Sequence, residues 1–230
     1  MAQQTSRKAD TWICDPDGKE AGYEAGREEK WSRKWTWKEA LVKSCNGFFL
    51  DNNKVSENEI RKFNTELESV GVNTFPETKI AHGIGLLPGI QASVTQMAYL
   101  YKTLAGRHPE IIQALRETPV IGTLSLAPEA KWFAQNRIAM KSGTVRDIQQ
   151  QPMIGWLIAV SPKMIQGKPA WIAAYSRKGR SPKDMLWSLR EFLTPFVELE
   201  PEMAFVQVLG LVPDNQITLS CRDFEGNGGG

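Results

Sequence analysis

Two apolar runs constrain this chain more than anything else in it: "MIGWLIAV" at 153–160 and "AWIAAYS" at 170–176. Neither alternates between polar and apolar residues, as a strand with one wet face would. Each is also too short to be read as a long buried helix. Runs of this kind are central strands covered on both faces, so helices must pack above and below the sheet that contains them. A third strand is expected at about 137–142, where "RIAM" leads into Lys141-Ser142-Gly143-Thr144 and then a polar loop.

The helices needed for the two cover layers are written on either side. Thr36-Trp37-Lys38-Glu39 is a capping box, in which hydroxyl and carboxylate satisfy free amides at a helix start. Trp37, Ala40 and Leu41 form its apolar side, and Ser44-Cys45-Asn46-Gly47 favours a turn after it. Ser56 and Glu59 repeat the capping box, with Val55 and Ile60 as a hydrophobic staple and Gly71 as the stop. Glycine and proline at 83–89 mark a loop within 72–91. A third helix is expected from about Ser93 to Ala105, with Gly106 ending it, and shorter ones near 109–117 and 127–134. Ser181-Pro182 opens a further amphipathic helix through Met185, Leu186, Leu189, Phe192 and Leu193. The last apolar segment, 203–222, reads as a hairpin turning at Pro213-Asp214-Asn215. The expectation is an α+β fold, an antiparallel sheet packed against helices. Residues 1–35 read as a polar irregular lead-in, 36–197 as the main domain, 198–223 as the hairpin segment and 224–230 as a disordered tail.

Composition narrows the function classes. Charged residues make up 23% of the chain and both signs are mixed in "GREEKWSRKWTWK", so no basic stripe for nucleic acid is present. His82 and His108 are far apart and no C-x-x-C occurs, so neither a metal site nor another cofactor is expected. Cys14, Cys45 and Cys221 are too few for a disulfide framework, and whether one bridge forms is left open. No apolar run reaches the roughly 18 residues of a membrane span, and "MAQQTSRKADTW" lacks the apolar stretch of a signal peptide.

Ser44-Cys45-Asn46 after an amphipathic helix, and Lys141-Ser142-Gly143-Thr144 on a strand 97 positions later, resemble two motifs of the penicillin-binding transpeptidases and serine β-lactamases. The likeness extends to "TWKEALVKSCNGFF", "GIGLLPGIQASVTQMAYLYKTLA", "VIGTLSLAPEAKWFAQNRIAMKSGT", the two apolar strands and the helix at 182–197, covering roughly residues 10–197. It implies that 36–197 is part of a transpeptidase-like domain acting on a peptidoglycan stem peptide or a β-lactam, outside the cytoplasmic membrane.

The resemblance also implies roles. Ser44 would relay a proton to the leaving nitrogen, and Asn46 would hydrogen-bond the substrate amide. Lys141 would set a positive charge beside Ser44 and the substrate carboxylate. Ser142 would donate to that carboxylate, Gly143 would leave room for substrate along the strand edge, and the Thr144 N–H would form half of an oxyanion hole. Cys45 would point away and pack in the core.

The family's nucleophile motif, Ser-x-x-Lys, is missing. Ser6 and Ser32 have no lysine three positions on, and Thr5, which does, is followed by no apolar helix. Met140 stands where the family often has glycine. The two sheet strands that precede the family's nucleophile helix are also not found, so the domain reads as incomplete at its N-terminus. A truncated reading frame, a partner of a complementing N-terminal segment and an inactive relative all fit. The alternatives are a module that binds stem peptides without turnover, or an unrelated α+β interaction protein. One sheet edge is left open by the missing strands, and the hairpin at 203–222 is expected to cover it.

Overall fold

In the computed structural model, residues 12–13, 34–45, 57–72, 74, 92–146, 151–198, 207–211 and 217–220 are described. Their elements run β1 (Trp12–Ile13), β2 (Lys34–Trp35), α1 (Trp37–Lys43), α2 (Glu57–Ser69), α3 (Val94–Arg107), α4 (Pro109–Leu115), α5 (Thr118–Ile121) and α6 (Ala130–Gln135). There follow β3 (Ala139–Arg146), β4 (Pro152–Val160), β5 (Met164–Ile165), β6 (Lys168–Pro169), β7 (Trp171–Lys178), α7 (Pro182–Glu198), β8 (Gln207–Leu211) and β9 (Ile217–Ser220). The protein is a mixed α+β fold, and none of its described helices is long and apolar enough to cross a membrane.

The central sheet has the order β3-β4-β7-β8-β9. Strands β3, β4 and β7 are antiparallel neighbours, with Ser142 opposite Leu157 and Leu157 opposite Tyr175. Side chains alternate between the two faces of these strands, and both faces are buried. Met140, Leu157, Ala159, Trp171 and Ala173 meet Phe133 of α6 and Met185, Leu186, Leu189 and Leu193 of α7. Ala139, Ile158, Val160, Ile172 and Ala174 meet Ala98 and Ala105 of α3 and Ile111, Ile112 and Leu115 of α4, with Trp37 and Leu41 of α1 alongside. This double cover is the reason the strands read as continuous apolar runs.

The sheet departs from the expected all-antiparallel arrangement at one joint: β8 pairs with β7 in parallel, Ile172 opposite Val208. The cause is the connection. α7 carries the chain back across the sheet before β8 begins, and a helical crossover returns a strand in the same direction. The expected hairpin forms, with Leu209 opposite Leu219, and it covers the edge of β7. Its turn at 213–215 and the tail at 224–230 lie outside the described residues, as do the loop at 75–91 and the staple of Val55 on Ile60.

Local signals explain most element ends. Thr36 and Glu39 form the reciprocal capping box at α1. At the end of α2, Gly71 has φ +78°, and the Gly71 and Val72 amides donate to the Glu68 and Leu67 carbonyls. That closure needs a residue in the left-handed region, which glycine supplies at no steric cost. Gly106 does not stop α3, which continues to Arg107. The stop is His108, which precedes Pro109 and takes φ −137°, ψ 63°, since a proline disfavours helical geometry in the residue before it. The lead-in read as irregular holds the short antiparallel pair β1–β2, and β5–β6 is a hairpin whose two loop residues, Gln166 and Gly167, both have positive φ. Two successive positive φ values match the twist of the flanking strands.

Candidate functional site

α1 ends at Ser44, which takes the left-handed conformation at φ 55°, ψ 45°. The Ser44 amide donates to the Ala40 and Leu41 carbonyls, and the Cys45 amide donates to Ala40 at 2.8 Å. The backbone at this corner is therefore occupied in closing the helix, and the Ser44 hydroxyl is what it presents. Cys45 is buried as expected from the sequence, but it is also disulfide-bonded, which gives the corner a covalent anchor. Asn46 lies outside the described residues.

Lys141 reaches this corner from β3. Its ammonium donates to the Ser44 hydroxyl at 2.6 Å and to the Ser142 carbonyl at 2.7 Å. The Trp156 ring, on the neighbouring strand, lies with its centroid 5.8 Å from Nζ. Burial pushes the Lys141 amine down from 10.5 to about 8, because the charged form loses water that these neutral partners replace only in part. At neutral pH a fraction of the amine is deprotonated, so this group can both donate and accept a proton near Ser44. Two motifs 97 positions apart thus share one contact.

The next residues of the strand meet other neighbours. Gly143 is opposite Trp156, and a Cβ on Gly143 would lie 2.1–2.3 Å from three atoms of the indole. The room left by this glycine is filled by Trp156, not kept open for a ligand. Ser142 is on the other face of the strand and only 6% exposed, and its hydroxyl is hydrogen-bonded to the Thr123 hydroxyl at 2.6 Å. Either hydroxyl can be the donor in this pair, so Ser142 shares its hydrogen-bonding capacity with Thr123. Thr144 is half-buried and opposite Gly155. Its backbone groups point to the same side of β3 as those of Ser142, two positions earlier. β3 is the first strand in the sheet order, and no described strand pairs with its outer side.

Two contributors went unread in the sequence. Trp156 was legible only as a core residue of an apolar run, and its place beside Lys141 follows from the β3–β4 register. Thr123 sits in a short turn after α5, and its only sequence signal is the Gly122-Thr123 break that ends an apolar helix. Among the described residues, no cluster of three or more His, Cys, Asp or Glu could hold a metal ion. Compared with protein-family models, curated proteins and solved structures, the chain finds no match.

Proposed function

We propose that the Ser44–Lys141 corner is the proton-relay and carboxylate-binding half of a penicillin-recognising acyl-transfer site. Its ligand is the D-alanyl-D-alanine end of a peptidoglycan stem peptide, or a β-lactam of the same shape. The observation that carries this reading is the 2.6 Å bond between Lys141 and Ser44. That contact joins the helix corner and the strand that carry the two resembling motifs. The lysine's partners support it further: its described hydrogen-bond acceptors are a hydroxyl and a carbonyl, so its charge is available to an anionic ligand. No described strand pairs with the outer side of β3, where an extended peptide would find a backbone to pair with.

In this role the Lys141 ammonium attracts the substrate carboxylate; Ser44 gives its hydroxyl proton to the leaving nitrogen as the acyl C–N bond breaks and takes one from the ammonium, which is left as the neutral amine. No Ser-x-x-Lys occurs in the sequence, so in the acyl-transfer version of this reading a complementing segment would supply the acylated serine. Binding without turnover is the second reading, favoured by the same missing motif. The site would act outside the cytoplasmic membrane, where stem peptides are.

The test is an NMR titration with a stem-peptide fragment ending in D-alanyl-D-alanine, run beside its C-terminal amide. The free acid should shift the amides of Lys141 to Thr144 and lose that effect in Lys141→Met. Equal shifts from the acid and the amide, or shifts confined to other elements, overturn the reading. A fluorescent penicillin separates the two versions: binding without a covalent band is expected of this chain alone, and a covalent band would place the nucleophile within it.

A further inference from the structure

We infer that Thr123 is a positioning residue that holds the Ser44–Lys141 contact in place by joining the end of α1 to β3. The inference deepens the proposed site and rests on reading Ser44 and Lys141 as its working pair. Thr123 has one connection in each direction. Its amide faces the Val42 carbonyl at 3.4 Å, two residues before Ser44, and its hydroxyl bonds the Ser142 hydroxyl at 2.6 Å, one residue after Lys141. Ser142 in turn gives its carbonyl to the Lys141 ammonium at 2.7 Å. A closed path of contacts therefore runs from Ser44 through Lys141, Ser142, Thr123 and Val42 back to the helix that carries Ser44.

The approach of the two segments is unusually close at the preceding residue. A Cβ on Gly122 would lie 2.6 Å from the Val42 carbonyl oxygen and 2.7 Å from the Thr118 Cα and oxygen. These are backbone atoms that cannot step aside, so only glycine lets the turn after α5 come this near to α1. The Gly122 amide also closes α5 on the Thr118 carbonyl at 3.0 Å, which sets the direction in which Thr123 leaves the helix. Glycine delivers Thr123 to the junction, and the hydroxyl pair locks it to a strand residue that is only 6% exposed. A buried hydroxyl gives up its water on folding, so Ser142 depends on Thr123 for a partner.

Losing that link frees α1 to move from β3, and the space around the Lys141 amine then admits water. A purely structural hydroxyl would change stability and leave the protonation of Lys141 as it was. The experiment is the pH profile of Lys141 acetylation by acetic anhydride, read residue by residue by peptide mass spectrometry at pH 6.5–11. The readout is the midpoint of the profile, which reports the amine's protonation and not its accessibility. Thr123→Val, of nearly the same shape, and Ser142→Ala remove the hydroxyl pair from opposite ends, and Thr123→Ser retains it. Wild type should show a midpoint near 8. Thr123→Val and Ser142→Ala should raise it by a unit or more, an approximately fivefold loss of neutral amine at pH 8, and Thr123→Ser should keep the wild-type profile. A wild-type midpoint in either removal variant, with native circular dichroism, overturns the role of Thr123. A wild-type protein that titrates like an ordinary lysine instead removes the buried-amine site beneath it, so the two failures are distinguishable.

Discussion

Replacing Lys141 by methionine tests the central claim through stability, without any ligand. Burial lowers this amine from 10.5 to about 8, so the native state holds the proton less tightly than the unfolded chain. Between those values the unfolded state binds more protons, and native stability must rise with pH there. Below pH 8 both states are protonated and the native protein carries the full cost of a poorly solvated charge. Above 10.5 both are neutral and the cost is gone. The shift corresponds to about 3 kcal/mol at the conversion of roughly 1.4 kcal/mol per unit, trimmed to about 2–3 kcal/mol because Lys141 as a whole residue is half-buried. The informative quantity is the wild-type stability minus that of Lys141→Met, in which every ionisation the two proteins share cancels. Urea unfolding at pH 7, 8, 9 and 10 should show this difference moving in favour of wild type by about 1 kcal/mol between pH 7 and 9, and further by pH 10. A difference that stays flat across the range would mean that Lys141 is an ordinary solvated amine, and the reasoning built on its burial would fail.

Two further perturbations address the elements that shape the corner. Gly143→Ala drives a Cβ into the Trp156 indole, which must swing away from Lys141; a loss of about 1–3 kcal/mol in urea unfolding is expected. A change below half a kcal/mol would show that the indole does not fill that space. Thr36→Ala removes the hydroxyl that accepts from the Glu39 amide and should cost about 1 kcal/mol. The urea midpoint should fall with no change in slope, and an unchanged midpoint would refute the cap's part in holding α1.

What could be read from the sequence was whatever is decided by neighbours in the chain. The capping box at Thr36, the left-handed closure at Gly71 and the doubly covered strands all follow from residues within a turn or two of each other. Ser44 and Lys141 were legible as separate local patterns, a helix corner and a charged strand residue. Their meeting was legible only through resemblance, because nothing local couples positions so far apart. Gly106 misled for a physical reason: glycine permits a helix to end without forcing it, and Pro109 decided the place. The parallel joint between β7 and β8 was hidden because it depends on where α7 returns the chain. Thr123 was hidden for the same reason, since its partner on β3 is set by the packing of three elements.

Ser142 and Gly143 sit beside Lys141 on β3 and meet different neighbours. Alternation along a strand sends Lys141 and Ser142 to opposite faces, so one cannot expect both side chains in one groove without a turn between them. The strand solves this through its backbone: the Ser142 carbonyl reaches the Lys141 ammonium while the Ser142 hydroxyl anchors the far side on Thr123. Gly143 then admits the Trp156 ring, which supplies the ammonium with an aromatic wall. Among the described residues the Lys141 amine is held against a hydroxyl, a carbonyl and an aromatic ring, dipoles that carry no formal counter-charge. A carboxylate ligand would supply that counter-charge. Under the proposed reading, the affinity for a carboxylate and the cost of burying the Lys141 ammonium are therefore two sides of the same desolvated charge.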